Sequence, residues 1–176
     1  PEERMHDGVV KDFSVAENFI LQDHIRKPYS NGIFLNFKRI ESRSQELIQD
    51  YNVKTPSQET LVKNLSGGNI QKLILARELA REPRVLIAAQ PTRGVDIGAT
   101  EYIHAQLLKQ RSTGLATLLI SEDLDEVMAM SDRIMVFFGG EVMGIVDSDE
   151  VTIEQLGLMM AGETAEEVLG QEMAAD

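Results

Sequence analysis

Between Arg84 and Phe138 the chain repeats one device: a short, almost wholly apolar run, a longer mixed stretch, then another apolar run. The runs are Arg84–Gln90 (RVLIAAQ), Ala116–Ile120 and Arg133–Phe138. Continuous apolar character over so short a length marks a strand buried on both faces. The stretches between them read as helices, one running from an Asp96 N-cap to about Arg111 and one from a Ser121 cap to about Met130. Strand, helix, strand, helix, strand requires parallel pairing through right-handed crossovers. Gly139-Gly140 suits a tight hairpin turn into Glu141–Val146, and a last helix is expected over Thr152–Ala161, with 162–176 frayed or helical. The expected fold class is α/β, with parallel core strands and a terminal β-hairpin. Such a sheet is small and both faces need cover, so it looks incomplete, as if further strands belong to a part of the polypeptide outside these residues.

The first half is helical. Ser14 caps a helix to Leu21, with Glu17 completing a capping box. Residues 22–35, with Pro28, Asn31 and Gly32, break periodicity and read as a loop. From Asn36 to Tyr51, Phe37, Ile40, Leu47, Ile48 and Tyr51 recur at helical spacing among charges. Lys54–Lys63 is a linker into Leu65-Ser66-Gly67-Gly68-Asn69. Ile70, Leu73 and Ile74 then continue a helical stripe that Pro83 stops. The division expected is a helical region 1–83, an α/β core part 84–150, and a C-terminal helix and acidic tail 151–176.

Charge excludes some functions. The net charge is −12, from 17 Lys+Arg and 29 Asp+Glu, and no base follows Arg133. A duplex-binding surface needs clustered cations, so nucleic acid is disfavoured as a partner. There are no cysteines, which removes disulfides, thiolate zinc sites and thiol catalysis. No apolar run approaches the about 20 residues that span a bilayer, so direct membrane insertion is not expected. The acidic tail reads as solvated.

Ser66-Gly67-Gly68 ahead of a helix has a physical use. Ser66 caps the helix and offers a hydroxyl. The glycines withdraw side chains, so backbone N–H groups and the positive helix end can meet an anion. A plain capped turn would use the same three residues. Its surroundings carry more. LSGGNIQK at 65–72, PTRGVDIGA at 91–99, ISEDLDEV at 120–127 and GLMMAG at 157–162 stand in order along the chain. This succession resembles the ATP-binding cassette (ABC) family, in particular the second cassette of the double-cassette ATPases of simple-sugar and nucleoside importers. Pro1-Glu2-Glu3-Arg4 is similar to the segment that opens the helical subdomain in that group.

The resemblance implies a partial P-loop NTPase fold with a helical subdomain. It makes Ser66, Gly67, Gly68 and Asn69 the signature motif, which in that family faces a nucleotide held by the other cassette of a head-to-tail dimer. It makes Arg93, Gly94 and Asp96 part of the D-loop at the cassette interface, although Arg93 also reads as a solvated loop charge and Asp96 as a helix cap. The partners implied are a second cassette and, through the helical subdomain, a transmembrane permease. ATP and Mg²⁺ are implied for the full dimer, and the location implied is the cytoplasmic side of the cell membrane.

Departures from the family pattern matter as much. No GxxxxGK[ST] phosphate loop occurs in the 176 residues, and the glutamine-bearing loop is missing too, so the chain reads as a fragment of a cassette. Charge-assisted hydrogen bonds contribute roughly 1.5–3 kcal/mol each. Without several of them, no appreciable ATP binding or hydrolysis is expected of this chain alone. The family's Walker B strand ends in Asp-Glu, whereas Ala89 and Gln90 stand there, and Glu122 stands where a switch histidine is usual. Alanine offers a metal no oxygen, and an amide cannot serve as general base, a role worth about 10²–10⁴ in rate. The half-site built on this cassette's own motifs is therefore expected to be degenerate, while the full-length protein is expected to be a transport ATPase.

Other residues read blandly. His6, His24 and His104 are scattered without ligand spacing. Asp123, Asp125 and Glu126 suit the first turn of a helix. Met128, Met130, Met159 and Met160 read as adaptable packing or as partner contacts. Two other functions compete: a non-transport ABC protein of translation or DNA repair, which ought to carry basic patches, and a scaffold domain that never binds nucleotide.

Overall fold

The computed structural model of the chain describes residues 3–173. It divides into two compact units, one up to Leu118 and one from Leu119 onward.

The first unit begins with a short helical turn, Arg4–Gly8. It continues with α1 (Val15–Phe19), α2 (Phe37–Asp50), a 3-10 turn Val62–Asn64, α3 (Gly67–Leu79), β1 (Val85–Ala89), α4 (Ile97–Ser112) and β2 (Ala116–Ile120), whose last residues open the second unit. Local chemistry sets the starts. Ser14 and Glu17 close the expected capping box on α1. Asn36 caps α2 by accepting from the Arg39 N–H, and Asp96 caps α4 by accepting from Ala99. The apolar stripes of α1, α2 and α3 meet in one core containing Val15, Phe19, Leu47, Val62, Ile70 and Leu73. Asn18, fully buried, accepts from the Val10 N–H and donates to the carbonyls of Val10, Phe13 and Ser14, so the arm before α1 is pinned by one side chain. Buried Arg77 on α3 donates to the Gly8 carbonyl at 2.9 Å and fixes the end of the Arg4–Gly8 turn.

β1 and β2 pair as a parallel sheet, and the Ala116 N–H donates to the Arg84 carbonyl at its start. The expectation that the 84–90 strand is covered on both faces is corrected. Val85 is 64% and Ile87 65% exposed, and on β2 Leu118 is 56% exposed. An apolar run reports what a strand would bury, and no described element lies over these side chains.

The second unit holds α5 (Leu124–Met130), β3 (Arg133–Phe138), β4 (Glu141–Asp147), α6 (Ile153–Met160) and α7 (Ala165–Met173). β3 and β4 form the expected hairpin, with register Arg133↔Asp147 to Phe138↔Glu141 and a bulge after Val136. Gly139 and Gly140 both have positive φ, +59° and +87°, which a tight I′-type turn requires of both central residues. β3 has β4 as its sheet neighbour, so the expected three-strand parallel succession is realised as a parallel pair and a separate antiparallel pair. Ile134, Val136, Val146, Leu156, Met159 and Val168 form the core of this unit. Gly144 allows close packing, since a Cβ there would overlap Ala165 and crowd Met159. Two readings are refined. α5 is capped by Asp123, which accepts from the Glu126 N–H, and Ser121 instead accepts from the Asp123 N–H. The stretch after Gly162, read as frayed or helical, is helical over α7, and its last three residues lie outside the described ones.

Candidate functional site

Ser66 is exposed and stands at the N-cap of α3 with extended backbone, φ −67° and ψ 155°. Its Oγ accepts twice from Asn69, from the backbone N–H at 3.4 Å and from the side-chain Nδ2 at 2.9 Å. A serine hydroxyl has two acceptor positions and one hydrogen. With both acceptor positions used by Asn69, the hydrogen is the group left to donate outward. Asn69 is held in turn, because its Oδ1 accepts the Lys54 N–H at 2.8 Å.

The two glycines have reasons beyond ligand access. A Cβ on Gly68, which is buried, would stand 2.9 Å from Ala99 Cβ and 3.4 Å from Asp96 Oδ2. The N-termini of α3 and α4 therefore pack side by side, and only glycine fits between them. A Cβ on Gly67 would stand 2.9 Å from Nη2 of Arg4. That guanidinium donates to the carbonyls of Arg93 and Gly94, the latter at 2.8 Å. Gly94 has φ +64°, in the left-handed region where a side chain would be strained. Asp96 Oδ1 accepts the Ala99 N–H at 2.9 Å and caps α4.

Ser66, Gly67, Gly68, Asn69, Gly94 and Asp96 thus form one neighbourhood, together with the backbone of Arg93. It offers a hydroxyl hydrogen, two adjacent helix N-termini and a guanidinium, which together suit an anion. One turn further along α3, the Lys72 ammonium lies 4.4 Å from the centre of the Tyr102 ring on α4. Partial burial, aided by nearby Lys54, holds the Lys72 pKa below that of an ordinary lysine, with Asp96 acting the other way. Burial also raises the Tyr102 phenol, whose oxygen is buried without a hydrogen-bond partner. Sequence reasoning missed Arg4 as a contact of this site, as well as Lys72 and Tyr102. Arg4 lies 90 positions from Gly94, and no local pattern could join them.

Of the positions expected to be degenerate, Ala89 and Gln90 directly precede the 91–94 turn, and Glu122 lies further along the chain. Ala89 ends β1 half-buried. Gln90 follows half-buried, with φ +49°, and its carbonyl accepts the Arg93 N–H. Glu122 is exposed in the second unit. Among the described residues no group of three His, Cys, Asp or Glu could hold a metal, and no helix is long and apolar enough to cross a membrane. An open cleft of about 870 Å³ lies elsewhere, between residues 22–29, the end of α3 and β1, lined by Asp23, Arg26, Arg77, Glu78 and Arg81.

Comparison with known proteins gives a consistent picture. No family model matches the chain. It is 46% identical over 167 residues to the guanosine import ATP-binding protein NupO of Bacillus subtilis, covering 95% of this chain and 33% of that protein. It is 44% identical to the nucleoside import ATP-binding protein NupA of Lactococcus lactis, covering 92% of this chain and 32% of that one. The ribose import ATP-binding protein RbsA of Clostridium perfringens is 41% identical, with 92% and 32% covered. The chain therefore spans about a third of the length of these curated relatives. Among solved structures it resembles a nucleotide-free ATP-binding cassette from an ABC transporter, with TM-score 0.64, 22% identity, and 84% of this chain and 64% of that one covered. It also resembles a dimeric bacterial ABC transporter cassette, with TM-score 0.61, 26% identity, and coverage of 80% and 59%.

Proposed function

Because the chain belongs to the ATP-binding cassette family, we propose that it is part of the ATP-binding subunit of a simple-sugar or nucleoside importer. Its contribution is the serine–glycine turn, lent to a triphosphate held by a second cassette. The exposed Ser66 hydroxyl, whose oxygen accepts from Asn69 and whose proton is used by no bond among the described residues, is the observation that carries this reading. A phosphate oxygen is the acceptor it suits, and the adjoining helix N-termini favour the same charge.

The residues of the chain fit the nucleotide only from this side. When bound between cassettes, ATP supplies the phosphoanhydride whose hydrolysis drives transport. Ser66, Gly67 and Gly68 would meet its terminal phosphate and hold it in place. Mg²⁺ fits less well, because the Ala89 side chain is a methyl group with no oxygen to offer it. Gln90 cannot take a proton from water, and a carboxylate at Glu122 would repel a phosphate. The half-site to which Ala89 and Gln90 belong is proposed to be catalytically degenerate, leaving the partner's site competent. In this reading residues 1–83 are the helical subdomain, 84–150 part of the nucleotide-binding core, and 151–176 a C-terminal helix with its acidic tail.

The permease is proposed to dock on the tip between α1 and α2, at the cytoplasmic face of the membrane. Ile33, Phe34 and Phe37 are 92%, 78% and 67% exposed there. Four bases and no acid lie between Ile25 and Arg39, in a chain of net charge −12. Exposed apolar clusters rimmed by charge mark protein contacts. Ile33→Ser with Phe34→Ser should leave thermal stability within about 0.5 kcal/mol, as surface changes do. The same pair should cut co-purification of the permease with the complete ATP-binding protein.

The central test uses the complete transporter. Ser66→Arg places a long cation where the phosphate would come and should abolish ATP hydrolysis, whereas Gln90→Ala should change it little. Equal damage from the two changes refutes the asymmetry, and full activity in Ser66→Arg refutes the reading itself.

A further inference from the structure

We infer that Arg4 is a positioning residue: it ties the Arg93–Gly94 turn to the serine–glycine turn, so that both segments meet a partner's triphosphate as one preformed surface. The inference rests on the trans reading above.

Two consecutive carbonyls, those of Arg93 and Gly94, receive the Arg4 guanidinium. Consecutive peptides in extended chain alternate their carbonyls, whereas the left-handed backbone at Gly94 (φ +64°) lets both serve one fork. The same Nη2 that donates to Gly94 lies so close to Gly67 that a Cβ there would be 2.9 Å away. One planar group therefore touches both segments proposed to face the nucleotide. Its own position is fixed from behind, because the Arg4–Gly8 turn is held at its far end by Arg77, only 6% exposed, donating to the Gly8 carbonyl. The arm is thus moored to α3 at one end and grips the 93–94 turn at the other.

Charge gives the tie a second effect. Carbonyl oxygens turned toward the glycine turn would oppose an arriving phosphate. The guanidinium occupies those oxygens and leaves net positive character beside Gly67. Lysine could not replace it, since a compact ammonium lacks the flat fork that spans two acceptors. Preordering both segments before the partner arrives removes an ordering cost that would otherwise fall on cassette closure.

The test compares Arg4→Lys and Arg4→Gln with wild type in the complete ATP-binding protein assembled with its permease. Amide hydrogen exchange over residues 93–96 should rise about ten-fold, which is about 1.4 kcal/mol and the low end for two solvent-exposed hydrogen bonds, while the melting temperature holds. ATPase kcat should fall by a similar factor of about ten, with KM for Mg-ATP nearly unchanged, because the nucleotide is held by the partner. Gly67→Ala, which displaces Nη2 without altering Arg4, should raise exchange in the same segment and keeps the test valid should an Arg4 variant fold poorly. Unchanged exchange at 93–96 in all three variants overturns the tie. Raised exchange with kcat untouched overturns the positioning role. Full ATPase in Ser66→Arg would sink the trans reading, and the positioning role with it, yet the exchange signature of the tie would still be seen.

Discussion

Gly67 and Gly68 are neighbours with different obligations. A methyl at Gly68 meets Ala99 Cβ at 2.9 Å, in a place where two helix ends are already in contact. Gly68→Ala should therefore cost about 1–3 kcal/mol, the usual range for overpacking, read as a lower urea midpoint. A methyl at Gly67 meets the far end of a flexible arginine, so Gly67→Ala should leave that midpoint nearly in place. Gln90 is the opposite case, a side chain where glycine would be easier. At φ +49° it carries strain of order 1 kcal/mol or more, and Gln90→Gly should raise the urea midpoint slightly. Sequence reasoning saw the glycine pair as room for a ligand. It could not see that each position is crowded from inside the protein, because Arg4, Asp96 and Ala99 are distant in sequence.

Helix ends were the most legible elements. Ser14, Ser66 and Asp96 each cap the helix assigned to them from sequence, and Asn36 and Thr152, expected as first helical residues, are the caps of theirs, since an N-cap needs only its own residue and the one three positions on. Asp96→Ala should cost about 1 kcal/mol by losing that bond, and thermal melting checks it. Ser121 and Asp123 compete two residues apart, and local composition does not say which wins. The answer lies in the chain path after β2, where Asp123 meets the Glu126 N–H. At the start of α7, Glu167 accepts the Thr164 N–H at 2.8 Å and its hydroxyl at 2.8 Å. The backbone bond first, then the hydroxyl, hold the Glu167 pKa below that of an ordinary glutamate. A carboxylate lowered in the folded state stabilises α7 above its unfolded value of 4.5. That help is lost as pH falls through the lower folded value. The protection of the Ala165–Val168 amides, measured against the intrinsic exchange rate at each pH, should accordingly fall on acidification below the ordinary glutamate range, and Glu167→Gln should flatten that response.

At the scale of the whole molecule, each unit has its own core, while the strand faces of the first are left open. The continuous apolar runs of β1 and β2 correctly announced strands and misjudged their cover, because a run of Val, Leu and Ile encodes a demand and the covering segment is a separate matter. Exposed side chains of this kind promote association. Val85→Thr with Ile87→Thr should reduce self-association of this chain in light scattering, with stability moving by no more than about 0.5 kcal/mol. The family resemblance in four ordered motifs was legible for a different reason: it depends on residue order, which the chain carries whether or not every face is covered.

Asn69 holds Ser66 with its amide nitrogen and the Lys54 N–H with its amide oxygen, fifteen residues upstream. A rigid amide cannot move at one end alone. Anything that settles on the serine and turns Asn69 must alter the magnetic surroundings of the Lys54 proton. A single isotope label at Lys54 would therefore act as a remote bell for arrivals at the serine, sounding although no visitor ever touches it.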